Sequence, residues 1–252
     1  MTKPIKTLLV DADIVAFKAA ARAEEVTAFG KTVGPLEDAK ADCDATIRGY
    51  EKLLGADSSV MALSCRRDNF RNDVLPSYKT GRDSSTRPEH LTALKLHLAE
   101  SYPSKLFHRL EGDDVLGILQ TKDDSDTIIV SEDKDLRTVP GKLYAPHREE
   151  VGLIDITPLE ANQFLMWQTI CGDSTDGFKG ALGVGKRSPY AEAVLAADAD
   201  ELWDIVTDAF ASVDMTEDEA IVQARCAKIL TIKNFNLFTK EVKLWTPNDL
   251  EV

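Results

Sequence analysis

Five short apolar runs, at residues 7–10, 59–63, 106–108, 127–130 and 142–145, are separated by longer stretches of helical periodicity, and this alternation constrains the fold more than any other feature. Leu36, Ala39, Cys43, Ile47, Tyr50 and Leu54 recur every three or four residues, as do Leu91, Leu94 and Leu98, so each set lies on one face of a helix. Strands that alternate with helices predict an α/β fold with a mainly parallel central sheet, covered by helices on both faces. Beyond about residue 156 the strand runs stop. Thr157-Pro158-Leu159-Glu160 combines a capping box with proline at the first helical position, and Thr216-Glu217-Asp218-Glu219 repeats the capping spacing. Between them, residues 172–185 carry Gly172, Gly177, Gly180, Gly183 and Gly185 and cannot be regular helix. The expected layout is an α/β body over 1–156 followed by a helical region over 157–252.

In an open parallel sheet, ligands bind outside the carboxyl ends of the strands. Acidic groups occupy those positions here. The first run ends in Asp11-Ala12-Asp13, and the run near 106 leads into Glu111-Gly112-Asp113-Asp114. The run at 127–130 leads into Ser131-Glu132-Asp133-Lys134-Asp135, and the glycine-rich segment carries Asp173 and Asp176. One such pair is ordinary helix capping or solvated charge. Four groups on one sheet edge repel one another and call for hard divalent cations; oxygen-only donors select magnesium or manganese over zinc. Two ions in such a pocket suit phosphodiester hydrolysis.

Global charge is a weak guide. The net charge of −13 disfavours a protein that simply coats nucleic acid. Yet residues 191–252 hold thirteen acids and five bases, and so supply most of that excess, whereas residues 66–87 hold six bases and three acids. A basic element beside an acidic pocket binds phosphate once cations neutralise the pocket. No apolar run is long enough for a membrane span, and the N-terminus reads directly into the first strand without a signal region. Cys43, Cys65, Cys171 and Cys226 form no C-x-x-C pair, so reduced thiols and a cytoplasmic location are expected.

Taken in order, Val10-Asp11, Glu111–Asp114, Ser131–Asp135 and Gly172–Asp176 resemble the metal-binding motifs of the 5′ nuclease family, the PIN-like 5′–3′ exonucleases and flap endonucleases. Phe70-Arg71 and the segment from Leu75 to Arg82 resemble the start of that family's helical arch, which would span about 66–105. The segment from Gly177 to Arg187 resembles its helix-three-turn-helix, over about 158–197. The match runs from about residue 7 to 197, and its spacing is similar to that of phage-encoded members.

The resemblance implies a divalent-metal-dependent nuclease that cuts DNA at 5′ ends, flaps or branched duplexes by a two-metal mechanism, leaving 5′-phosphorylated products. It assigns Asp11, Glu111, Asp113, Asp114, Asp133, Asp135, Asp173 and Asp176 to two magnesium or manganese ions. Lys79 and Arg82 would act on the scissile phosphate from the base of the arch. Arg71, Tyr78, Lys179, Gly183, Gly185, Lys186 and Arg187 would contact DNA, the glycines by letting backbone approach phosphate, with a potassium ion held by hairpin carbonyls. Tyr78 either stacks on a terminal base or packs beneath the arch. A monomer acting on DNA, with RNA–DNA hybrids as further substrates, is expected in the cytoplasm, the host's if the chain is phage-encoded.

One departure stands out. Where the family carries an aspartate at the end of the second strand, this chain has Ser64. Water fills the gap, Asp68 swings in, or the second ion binds weakly. Residues 8–15 also resemble the D-x-D motif of haloacid-dehalogenase phosphatases, with Asp11 as nucleophile, but that leaves Glu111–Asp114, Asp133, Asp135 and the Tyr78–Arg82 segment unused. A non-catalytic binder of branched DNA and an RNA-cutting enzyme on a related sheet are the remaining alternatives.

Overall fold

The computed structural model describes residues 6–27, 30–65, 68–81, 87–122, 126–148 and 151–250. In chain order the elements are β1 (Thr7–Asp11), α1 (Ala12–Arg22), β2 (Glu24–Thr27), β3 (Gly30–Val33), α2 (Leu36–Leu54), β4 (Ser58–Ala62), α3 (Arg71–Val74), α4 (Leu91–Ser101), β5 (Ser104–Lys105), α5 (Gly112–Gln120), β6 (Thr127–Val130), β7 (Gly141–Tyr144), β8 (Leu153–Ile156), α6 (Pro158–Cys171), α7 (Pro189–Val194), α8 (Leu202–Ala211) and α9 (Glu217–Ala227). The main sheet runs β5-β4-β1-β6-β7-β8; all neighbours pair in parallel except β7 with β8. β2 and β3 form a separate antiparallel hairpin.

Alternation along the central strands splits their side chains between two cores. Leu8, Val10, Met61, Ile128 and Val130 pack under α1, α2 and α4 on one face. Leu9, Ala62, Ile129 and Leu143 face α5 on the other. A third core joins α6, α8 and α9 around Phe178, Phe210 and Trp245. The parallel α/β architecture and the change to helices after residue 156 are as the apolar pattern predicts.

Three sequence assignments change. The run at 106–108 is not a strand: pairing to β4 stops at Lys105, and Leu106 is exposed. Residues 91–105 do not belong to an arch, because α4 packs on α1 with Leu94 and Leu98 fully buried in the body. Among the described residues from 68 to 90, the four-residue α3 is the one helix. The region 157–252 is also not separate from the body: after α9 the chain returns, and Ile229, Leu230 and Phe235 complete the core over α5.

Candidate metal centre and nucleic-acid interface

β1 lies at the middle of the sheet, and the chain moves to β4 on one side and β6 on the other, so its carboxyl end opens on a crevice. Asp11 closes β1 and caps α1, accepting from the Ile14 N–H at 3.1 Å. Its other oxygen accepts from the Ser131 hydroxyl at 2.8 Å, which in turn accepts from the Asp133 N–H at 3.1 Å. Ser131 therefore couples the ends of β1 and β6. Glu111 caps α5, and Asp113 follows in its first turn, where the N-terminal dipole favours anions.

The crowding of carboxylates is visible in their proton affinities. Burial, then Asp13, and more weakly Asp133, push Asp11 up to about 7 against its hydrogen bonds to Ser131 and Ile14. Burial raises Asp113 well above the usual range, with Asp11, Asp133 and Glu111 adding to it. Burial and Asp133 likewise raise Asp135. Glu111 goes the other way: burial opposes ionisation, but Lys79 and Arg71 outweigh it and hold the carboxyl at about 2.

Lysines sit where these acids gather. Lys79 Nζ lies 2.5 Å from Glu111 and 3.3 Å from Asp176, and Lys134 Nζ lies 2.6 Å from Asp135 and 3.0 Å from Asp173. Gln168 donates to Asp135 at 2.6 Å. Among the described residues, no three acidic, histidine or cysteine side chains enclose a site for one ion as they stand. The donors nevertheless fit a divalent metal: they are all oxygens, several are buried, and burial together with their mutual repulsion raises Asp11 and Asp113.

The charge imbalance makes metal-free stability depend on pH. Folded Asp11 and Asp113 keep protons that the unfolded chain releases above 3.8, so their contribution falls as pH rises through about 7. By calorimetry, the thermal midpoint of EDTA-treated protein should fall between about pH 5 and pH 8 more steeply than that of protein saturated with magnesium. Parallel curves would mean that no ion relieves the repulsion.

The segment after α3 is docked against the glycine-rich segment. The Lys79 N–H donates to the Asp176 carbonyl at 2.8 Å, and Lys79 adopts a left-handed backbone (φ 56°). A Cβ on Gly177 would stand 2.8 Å from the Ser77 carbonyl oxygen, so only glycine allows this approach. Lys79 is thereby aimed into a cleft of about 430 Å³, lined in part by Asp13, Ser64, Tyr78, Lys95 and Glu111. A cavity of about 690 Å³ lies apart from these acids, behind α3 and against Val222 and Leu244.

Three assigned roles do not survive the geometry. Arg71 is 2 % exposed and cannot meet DNA; it holds Asp114 through two hydrogen bonds of 2.8 Å and donates to the Cys226 and Lys228 carbonyls. Asp114 is fully buried, and its oxygens accept from Arg71 and from the Glu111 and Leu230 N–H groups, so it joins the body to the returning tail rather than facing the cleft. Tyr78 is 4 % exposed and packs beside Phe178; its hydroxyl donates to Glu111 at 2.9 Å, which excludes base stacking. Nor does Asp68 swing in beside Ser64, because it pairs with Arg109 at 2.8 Å. Arg82 lies outside the described residues.

The structure gathers Asp11, Glu111, Asp113, Asp133, Asp135, Asp173 and Asp176 along one edge, with Lys79 among them. Lys179, Gly183, Gly185, Lys186 and Arg187 lie exposed on the segment between α6 and α7. Gly183 has φ +81° with open space around it, leaving its backbone accessible. Sequence reasoning gave no role to Ser131, Lys134, Gln168 or Lys95; the first two stood inside a quoted motif, while Gln168 and Lys95 stand on helices outside every quoted motif.

No family model matches the chain. The exodeoxyribonuclease of Enterobacteria phage T3 is 29 % identical to it over 282 aligned positions, covering 95 % of this chain and 92 % of that one. A flap endonuclease, Xni, from Shewanella baltica is 31 % identical over 138 positions, covering 48 % of this chain and 50 % of its own. The T5 D15 protein co-crystallised with metal ions has a similar fold, with a TM-score of 0.61, 16 % identity and 89 % coverage of each chain. The T5 D15 flap endonuclease in a complex with DNA and metal ions gives a TM-score of 0.58 and 17 % identity, over 88 % of this chain and 90 % of that one. Along nearly its whole length the chain is similar to a phage exodeoxyribonuclease, and along 48 % of it to a flap endonuclease, so its relatives are 5′–3′ exonucleases and flap endonucleases.

Proposed function

We propose that this protein is a metal-dependent 5′ nuclease that hydrolyses DNA phosphodiesters at 5′ ends and flaps, with two magnesium ions in the carboxylate crevice. The observation that carries this reading is the meeting, at the end of β1, of acids from β1, the start of α5 and the loop after β6, close enough to raise one another's proton affinity. Similarity to a phage exodeoxyribonuclease and to a flap endonuclease supports it. A phospho-aspartate mechanism at Asp11 is disfavoured because both its oxygens are engaged, by Ile14 and Ser131, in a 4 % exposed site.

Asp11, Glu111, Asp113 and Asp133 would hold one ion and Asp135, Asp173 and Asp176 the other, directly or through water. Bound there, divalent ions activate water and stabilise the charge of the leaving oxygen. The protein supplies the remainder. Ser131 fixes the Asp11 carboxylate, and Gln168 fixes Asp135. Lys79 faces the phosphate from the cleft wall and offsets the negative charge that grows in the transition state. Lys179, Lys186 and Arg187 grip duplex phosphates away from the cut, with potassium bound by the hairpin carbonyls; such contacts are blind to sequence. RNA–DNA hybrids are proposed as further substrates, and a monomer as the active form.

A 5′-labelled flap duplex incubated with and without magnesium tests the assignment. The expected result is magnesium-dependent release of short labelled fragments, leaving a 5′ phosphate on the downstream strand. Binding without cleavage would favour a DNA-binding protein instead. Lys79→Ala should slow single-turnover cleavage by about 10²–10³-fold, with a much smaller change in flap affinity. Equal losses in both would remove Lys79 from the chemistry. Lys186→Ala should weaken binding to every duplex sequence alike and reduce the slope of log affinity against log salt by about 1. A loss confined to one sequence would contradict a phosphate contact.

A further inference from the structure

Around the crevice, β1 ends in Asp11 and β6 leads into Asp133 and Asp135, but β4 leads into Ser64. Ser64 is not poised to replace a carboxylate, since its hydroxyl accepts from the Gly112 N–H at 2.8 Å and is tied to the start of α5. The acid bonded to it is Asp13, on the first turn of α1, whose Oδ2 accepts from the Ser64 N–H at 3.3 Å. Its Oδ1 is buried and has no aligned hydrogen bond, although Lys95 Nζ, reaching in from α4, stands 2.7 Å away. Both side chains line the same cleft as Ser64, Lys79 and Glu111.

We infer that Asp13 supplies, from the first helix, the negative charge that the end of β4 lacks, and that Lys95 is a stand-in cation which an entering divalent ion displaces. This rests on the metal-dependent reading above and adds to it a residue and a competitor. A buried carboxylate oxygen without an aligned donor keeps an acceptor position open for a cation or its bound water. An ammonium held at 2.7 Å neutralises the acid in the absence of metal, which avoids leaving an uncompensated charge in the cleft. Because lysine and the divalent ion compete for the same oxygen, their effects on metal affinity must have opposite signs. A salt bridge that merely fastened α1 to α4 would have no such signature.

The test measures Mn²⁺ binding to the full chain by electron paramagnetic resonance of the free ion, without DNA, alongside the thermal midpoint of each variant in EDTA. Asp13→Asn should weaken Mn²⁺ binding by about 10-fold or more. Lys95→Met should tighten it several-fold while lowering the midpoint. Ser64→Asp placed in the Asp13→Asn background should recover affinity by returning the charge to the end of β4. Unchanged affinity in Asp13→Asn, equal or weaker binding in Lys95→Met, or no recovery in the double variant would overturn the inference. Lys95→Met keeps it testable should Asp13→Asn fold poorly. If the parent protein binds Mn²⁺ and cuts a flap while this pattern fails, only the roles of Asp13 and Lys95 fall. If the parent binds no Mn²⁺, the metal-dependent reading itself fails.

Discussion

Asp113→Asn is expected to lower single-turnover cleavage of a 5′ flap by at least about 10²–10³-fold while leaving the protein folded and, without metal, more heat-stable. Asp113 is the second residue of α5, and burial together with Asp11, Asp133 and Glu111 raises its proton affinity far above that of an ordinary aspartate. That environment is unfavourable to a bare carboxylate and suited to one neutralised by a cation. The amide keeps the shape and removes the charge. It should therefore relieve repulsion in the metal-free protein while removing a group on which metal binding depends. Cleavage rate in magnesium and thermal midpoint in EDTA, measured on the same preparation, check both halves. A rate within tenfold of the parent would take Asp113 out of the metal centre, and a collapsed midpoint would make it a structural residue.

Arg71→Ala should have the opposite profile, with a loss of about 3–5 kcal/mol of stability and little direct effect on DNA contacts. The Arg71 guanidinium is buried between α5 and the end of α9, where it satisfies both oxygens of the fully buried Asp114 and two main-chain carbonyls. Truncation leaves the buried Asp114 carboxyl without its partner and strips donors from the Cys226 and Lys228 carbonyls, a far larger cost than loss of an exposed ion pair. Denaturant unfolding gives the magnitude. Under conditions where the variant remains folded, its duplex affinity and salt dependence should match the parent's. Stability near that of the parent, with weakened DNA binding, would restore Arg71 to the DNA interface.

These two residues show what the sequence could and could not reveal. Strands β1, β4, β6 and β7 and the faces of α2 and α4 were legible because apolar spacing is imposed by the core. Acids at strand ends pointed to the crevice because parallel topology brings those ends together. Facing within a motif was not legible: Asp113 and Asp114 are adjacent, yet one turn of α5 directs the first to the crevice and the second to the Arg71 pair. Basic residues near the arch motif looked alike in the sequence, but Arg71 is buried by α9, some 155 residues away along the chain. The returning segment at 229–235 gave no warning either, since its apolar residues are too few to show a period, and its partner is α5.

The central claim is that acids from separate strands and helices form one cavity for divalent ions at the end of β1. Anomalous diffraction from crystals of the protein grown with Mn²⁺ tests it most directly. The account predicts two peaks in the crevice, one among Asp11, Glu111, Asp113 and Asp133 and one beside Asp135, Asp173 and Asp176, with Lys79 and Lys134 moved off their carboxylates. Mn²⁺ found only elsewhere, with both lysines still seated on those acids, would contradict it.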